Sequence, residues 1–140
     1  SEFANEEDWV LVHDAVRPCI KISDVQSLIN ELREGNDGGI LATPVVDTLK
    51  LADVSEVQKT VDREGLFQAQ TPQMFKFGVL IKALENVVNN NIYITDEAEA
   101  VAHIGGKVKI VIGSKNNIKV TVAEDLQLAN YYLHNFTKTS

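Results

Sequence analysis

An aspartate and an arginine three residues apart, Asp14 and Arg17, follow a short apolar run and precede Pro18 in the stretch WVLVHDAVRPC. A carboxylate can hold a divalent cation, and a guanidinium can bond two oxygens of a phosphate, so the pair suits metal-assisted chemistry on an anionic substrate. The bland alternative is a surface ion pair at a loop start, worth under ~1 kcal/mol. Other reactive groups are sparse. His13, His103 and His134 are scattered, no Gly-x-Ser-x-Gly occurs, and no Cys/His cluster has zinc spacing. His13 could serve as a base beside Asp14, but a histidine at a strand end is more simply satisfied by backbone. The single Cys19 permits no intramolecular disulfide, which agrees with a reducing cytosol, and reads as a small buried residue. No glycine-rich loop follows a first strand, so a phosphate cradle of the usual kind is not among these residues.

The elements that must position Asp14 and Arg17 follow from the pattern around them. Trp9 to His13 is apolar in four of five positions without alternation, as in a strand covered on both faces, and open α/β sheets build sites beyond the carboxyl ends of their strands. Ser23 with Gln26 forms a capping box before Val25, Leu28, Ile29 and Leu32, which predicts a helix to about Glu34 stopped by Gly35. Ile40 to Val46 is a strand that Pro44 places at a sheet edge or end. Thr48 to Gln70 breaks into β pieces at 48–51, 57–61 and 66–69, an arm with little core of its own, which predicts contact with a second subunit. Thr71-Pro72 reads as a helix start with apolar residues from Phe77 to Val88 on its buried face. Thr95 caps a short Ala-rich helix, 107–112 and 118–120 read as strands, and Thr121 with Glu124 opens a last helix.

Composition bounds the rest. With 140 residues the chain has room for one domain, and 44% hydrophobic and 24% charged residues are those of a globular protein. No apolar run approaches the ~20 residues of a membrane helix. A net charge of -7 without a Lys/Arg block disfavours nucleic acid, though not a phosphorylated small molecule. The expectation is an α/β, Rossmann-like and mostly parallel sheet with a protruding β-arm, about 44–72, used for dimerisation. Ser1 to Phe3 read as a cloning scar. The first strand then looks interior, as if an upstream portion were missing, so 1–140 is expected to be a single, N-terminally truncated domain.

Five blocks in register carry a resemblance: HDAVRP at 13–18, GGILATPVVDTLK at 38–50, TVDREGLFQAQTPQ at 60–73, ITDEA at 94–98 and NIKVT at 117–121. Together, over about 9–133, the chain resembles the 2-C-methyl-D-erythritol 4-phosphate cytidylyltransferases. The resemblance implies a cytosolic, magnesium-dependent homodimer that joins CMP from CTP to methylerythritol phosphate, with release of pyrophosphate, in the non-mevalonate route to isoprenoid precursors. It implies that Asp14 binds Mg²⁺ near the α-phosphate, that Arg17 and Thr95 belong to the methylerythritol phosphate site, and that Lys119 neutralises the phosphoryl group under attack. It further implies that Thr48 and Arg63 reach from the arm into the partner's site.

The family's N-terminal half, with its CTP-binding loop, has no counterpart in this sequence, so these residues alone are expected to be inactive. Lys115-Asn116 stands where relatives commonly carry an acidic residue, which leaves a second metal ligand unassigned. Two other readings are a pentitol-phosphate cytidylyltransferase, which shares these blocks, and a non-catalytic fragment that dimerises and binds a sugar phosphate.

Overall fold

The computed structural model describes residues 4–32 and 35–139. Its elements, in order, are β1 (Trp9–Val12), α1 (Ile22–Glu31), β2 (Gly38–Pro44), β3 (Leu49–Asp53), β4 (Glu56–Val61), β5 (Phe67–Lys76), α2 (Phe77–Asn89), α3 (Glu97–His103), β6 (Val108–Ile112) and α4 (Ala123–Thr139).

Four strands form the main sheet in the order β1-β5-β2-β6. β1, β2 and β6 point the same way and β5 opposes them, so the sheet is mixed rather than mostly parallel by pairing: β5 is antiparallel to both neighbours. The cause is the connection. No helix crosses over between β2 and β5; the chain leaves at Pro44, makes the β3–β4 excursion and returns beside the strand it left, which is the antiparallel solution.

Successive residues face opposite sides of the sheet. Ile40 and Phe75 pack with Leu80, Ala83, Ala100 and Val101 from α2 and α3. Leu41, Met74 and Val111 pack with Leu28 and Leu32 on the side of α1. The sheet is thus covered on both faces, as the unbroken apolar run of β2 required. Gly38 permits the closest strand approach, because a Cβ there would collide with the Phe75 ring and stand 2.9 Å from the Met74 carbonyl oxygen.

Several local expectations are corrected. The chain from Thr71 is strand, not helix: β5 runs to Lys76 and α2 begins at Phe77. Pro72 is tolerated inside this central strand because the ladder is interrupted there. Ile40 faces Gln73 and Ala42 faces Ala69, so residues 70–72 stand opposite Leu41 alone in a bulge. No strand forms at 118–120. α1 starts at Ile22 with no side-chain cap, so the Ser23 box is not used, and the expected end at Glu34 lies outside the described residues. The last helix is capped from one residue further on, with Asp125 Oδ2 accepting from Thr121 N–H, Thr121 Oγ1–H and Val122 N–H.

The excursion is a two-stranded sheet spanning 49–61, narrower than the expected 44–72, since 67–72 belong to the main sheet. Leu51, Val54 and Val57 on it are exposed, Val54 fully. No described helix is long and apolar enough to cross a membrane.

Candidate active site

The β5 bulge lies beside the end of β1, and it is there that the site is assembled. Thr71 Oγ1 accepts the Asp14 N–H at 2.9 Å and stands 3.0 Å from His13 Nδ1. The Arg17 carbonyl oxygen can only accept, so His13 Nε2–H donates to it at 3.0 Å, and in the neutral ring Nδ1 accepts from the Thr71 hydroxyl. His13 is a structural tie, as expected of a strand-end histidine. The loop is closed from the other side by Arg17, whose Nη1 donates to the Asn117 carbonyl at 2.7 Å and whose Nη2 reaches the Ala69 carbonyl at 3.4 Å. Asn117 Nδ2 in turn donates to the Thr71 carbonyl at 2.8 Å.

Asp14 and Arg17 are paired at 3.8 Å, with the Asp14 side chain 44% exposed and that of Arg17 13%. The carboxylate faces solvent while the guanidinium is sunk in the wall. Burial pulls the Arg17 guanidinium below its ordinary value, and the Asp14 charge acts against that pull.

Two cavities are lined in part by Lys119. A smaller one of about 270 Å³ is lined by Asp14, Thr71, Gln73, Thr95, Asp96 and Lys119, among others. A larger one of about 550 Å³ is lined by residues that include Arg17, Thr43, Gln70, Lys115, Asn117 and Lys119. The structure therefore brings together Asp14, Thr95 and Lys119, with Arg17 beside Lys119 in the larger cavity. Thr48 and Arg63 line neither cavity. Both are exposed at the base of the arm, where Arg63 Nη1 donates to the Val46 carbonyl at 2.7 Å.

Thr95 is not the helix cap that its position predicts. Its N–H and hydroxyl both donate to Glu99 Oε2, at 2.8 and 2.9 Å, while Asp96 caps α3 by accepting the Glu99 N–H. These two bonds hold the Glu99 carboxyl below its usual range. The pairing fixes the Thr95 hydroxyl at the cavity rim. Asp96 also accepts from Gln73 Nε2 at 3.2 Å, which ties α3 to β5.

Sequence reasoning missed Thr71, Gln70, Gln73 and Asn117. Their signal was polarity inside stretches that fold as core: Gln70, Gln73 and Asn117 are 6%, 2% and 1% exposed. Among the described residues, the buried side-chain atoms without a hydrogen-bond partner are Arg17 Nε, Gln70 Oε1, Gln73 Oε1 and Asn117 Oδ1, all on residues that line these two cavities. Departures from full hydrogen bonding of this kind gather at functional sites and at sites of ordered water. No group of three or more His, Cys, Asp or Glu capable of holding a metal occurs among the described residues. The half-exposed carboxylate of Asp14 does fit Mg²⁺, which typically takes one or two protein carboxylates, substrate phosphates and water.

Comparison with known proteins agrees with this geometry. The family model for 2-C-methyl-D-erythritol 4-phosphate cytidylyltransferase (IspD) matches residues 2–135. The enzyme of that name from Vesicomyosocius okutanii is 53% identical over 133 residues, which are 95% of this chain and 55% of the relative. That from Ruthia magnifica is 52% identical over 137 residues, 98% of this chain and 57% of the relative. The chain thus spans little more than half the length of the curated relatives it matches. Among solved structures, the Francisella tularensis enzyme superposes with a TM-score of 0.86 at 37% identity, covering 94% of this chain and 62% of its own. The Thermus thermophilus enzyme gives 0.84 at 28% identity, covering 95% and 65%. With the match running from before β1 into α4, through the residues that line both cavities, the chain belongs to the 2-C-methyl-D-erythritol 4-phosphate cytidylyltransferase family.

Proposed function

We propose that the native protein carrying this sequence transfers the cytidylyl group of CTP to 2-C-methyl-D-erythritol 4-phosphate, giving 4-diphosphocytidyl-2-C-methylerythritol and pyrophosphate. Beyond family membership, one observation carries the reading. Lys119 lines both cavities, with Asp14 and Thr95 beside it in one and Arg17 in the other. A reaction between two phosphates needs a cation at their meeting point.

In this reaction an oxygen of the sugar phosphate forms a bond to the α-phosphorus of CTP. The bond from that phosphorus to the bridging β-phosphate oxygen breaks, and pyrophosphate leaves with the electron pair. The attacking phosphate is already ionised, so no general base is required, and His13 remains free for its structural role. The Lys119 ammonium stabilises the charge that accumulates on the equatorial oxygens of the α-phosphorus. Arg17 and the Thr95 hydroxyl orient the sugar phosphate. A Mg²⁺ ion held by Asp14 together with substrate oxygens would polarise the α-phosphate.

The functional unit in this reading is a homodimer in which the β3–β4 arm lies against a second copy and brings Thr48 and Arg63 to that copy's substrate phosphate. In support, the arm's apolar side chains are uncovered, and both residues lie outside the cavities of their own protomer.

Pyrophosphate release from CTP and Mg²⁺, with methylerythritol phosphate or pentitol phosphates as acceptor, tests the reading. Turnover with methylerythritol phosphate alone is expected. Preference for a pentitol phosphate would reassign the acceptor, and binding without turnover would leave a sugar-phosphate-binding module.

A further inference from the structure

The segment from Gly113 to Val122 contains no helix or strand, yet it carries Lys119. Its course is imposed from outside. Ser114 N–H donates to Asp24 Oδ2 at 3.1 Å, Val120 N–H to the Val16 carbonyl at 2.8 Å, and Asn117 bonds Thr71 and Arg17 as described. Gly113 N–H donates to the Ala42 carbonyl of β2 at 3.0 Å, and a further tie comes from Gln70. From the β5 bulge its Nε2 donates to the Ser114 carbonyl at 2.9 Å, the oxygen that also accepts Asn117 N–H at 3.1 Å to close the turn before Lys119. The Gln70 carboxamide lies against Gly113, where a Cβ would collide with its Oε1.

We infer that Gln70 is a positioning residue for Lys119, a step that rests on the transferase reading above. A lysine side chain is long and flexible, so its charge is located only as well as its backbone is held, and a displacement near 1 Å at a reacting centre costs about 10²-fold in rate. Gln70 fixes the turn from which the segment runs to Lys119. It does so from the same bulge that places Thr71 against Asp14, so both cavity walls share one reference point.

The test is a double-mutant cycle in the native protein. Gln70→Met keeps length and removes the bond; it is expected to lower kcat about tenfold, ~1.4 kcal/mol, with KM for CTP and for the sugar phosphate within about twofold. In a Lys119→Ala background the same change is expected to alter kcat by less than about twofold, because the positioned group is gone. An equal loss in both backgrounds, or no loss in either, would overturn the inference. Gly113→Ala, which displaces the carboxamide without altering Gln70, is expected to repeat the pattern and decides the matter if Gln70→Met does not fold. Should the wild-type protein make no cytidylyl product, the transferase reading fails by itself. The tie is then read from amide exchange at Asn117 and Val120: exchange about tenfold faster in Gln70→Met upholds it, and unchanged exchange overturns it.

Discussion

The β5 bulge, inside the main sheet, and the β3–β4 arm, outside it, are opposites in how they are held. Around the bulge, Asp14, His13, Arg17, Thr71 and Asn117 are joined by hydrogen bonds of 2.7–3.0 Å, and the strand beneath is buried on both faces. On the arm, only the ladder and the Lys50–Thr60 contact at 2.6 Å join the strands, with Leu51, Val54 and Val57 open to solvent. The first region has its geometry within one protomer. The second has a shape but no core, and an isolated hairpin of this kind is marginal in water.

The comparison is broken most forcefully from the core. Phe75→Ala is expected to cost about 3–5 kcal/mol in chemical denaturation, since the ring is fully buried beneath α2 and α3. Val57→Ser on the arm should cost under ~0.5 kcal/mol in a monomer, and more, with dependence on protein concentration, if a second copy covers it. An expense at Val57 that is large and independent of concentration would show that the arm has a core after all.

Lys119→Ala and Arg63→Ala are each expected to lower activity by about 10²–10³-fold in a pyrophosphate assay. In mixed dimers of the two variants, one site carries both lesions and the other neither, so activity should recover toward half that of wild type. Full subunit exchange without recovery would place Arg63 in its own chain's site and remove the arm's role in chemistry. A smaller perturbation replaces residues 48–62 with a short Gly/Ser bridge. Sedimentation should then show a monomer where the wild type is a dimer at micromolar concentration, with the main sheet intact by circular dichroism.

The smallest effect concerns acid. Hydrogen bonds from Thr121 and Val122 hold the Asp125 carboxyl below its ordinary value, so its contribution to stability is present above the ordinary carboxylate range and lost as pH falls through the lowered folded-state value. Asp125→Asn should flatten that portion of the acid unfolding curve by lowering stability at neutral pH, and leave the strongly acid end almost unaltered. Glu99→Gln should act in the same sense at the Thr95 rim.

Asp14 and Arg17 stood out in the sequence as charged side chains at a strand end, whereas Thr95, read as a helix cap, and Lys119, read inside a strand, drew attention only through the family resemblance. The two helical layers were legible from periodicity. Thr71 was misread because Thr-Pro before an apolar stretch is a helix-start pattern, and the competing signal, a bulge, depends on the register of β2, which a single strand's sequence does not contain. The direction of β5 was hidden for the same reason: pairing is a property of two segments. Thr95 and Thr121 show the local limit, where the acidic partner four residues on, Glu99 or Asp125, displaced the simpler cap.

The bulge has a consequence for how this strand tolerates changes of length. Three residues, 70–72, stand opposite Leu41 alone, so β5 carries two extra residues there, an even number. In a structure whose side chains alternate with a period of two, an even excess is invisible to parity, and Met74 and Phe75 keep the faces they would have in a regular ladder. Deleting one residue between Gln70 and Pro72 would leave two residues opposite Leu41, the count of an ordinary β-bulge, and re-aim the side chains that remain there. Deleting two would restore both the ladder and the core while removing the residues that hold Asp14 and Lys119. A shortened strand of that kind would be a folded protein without its site.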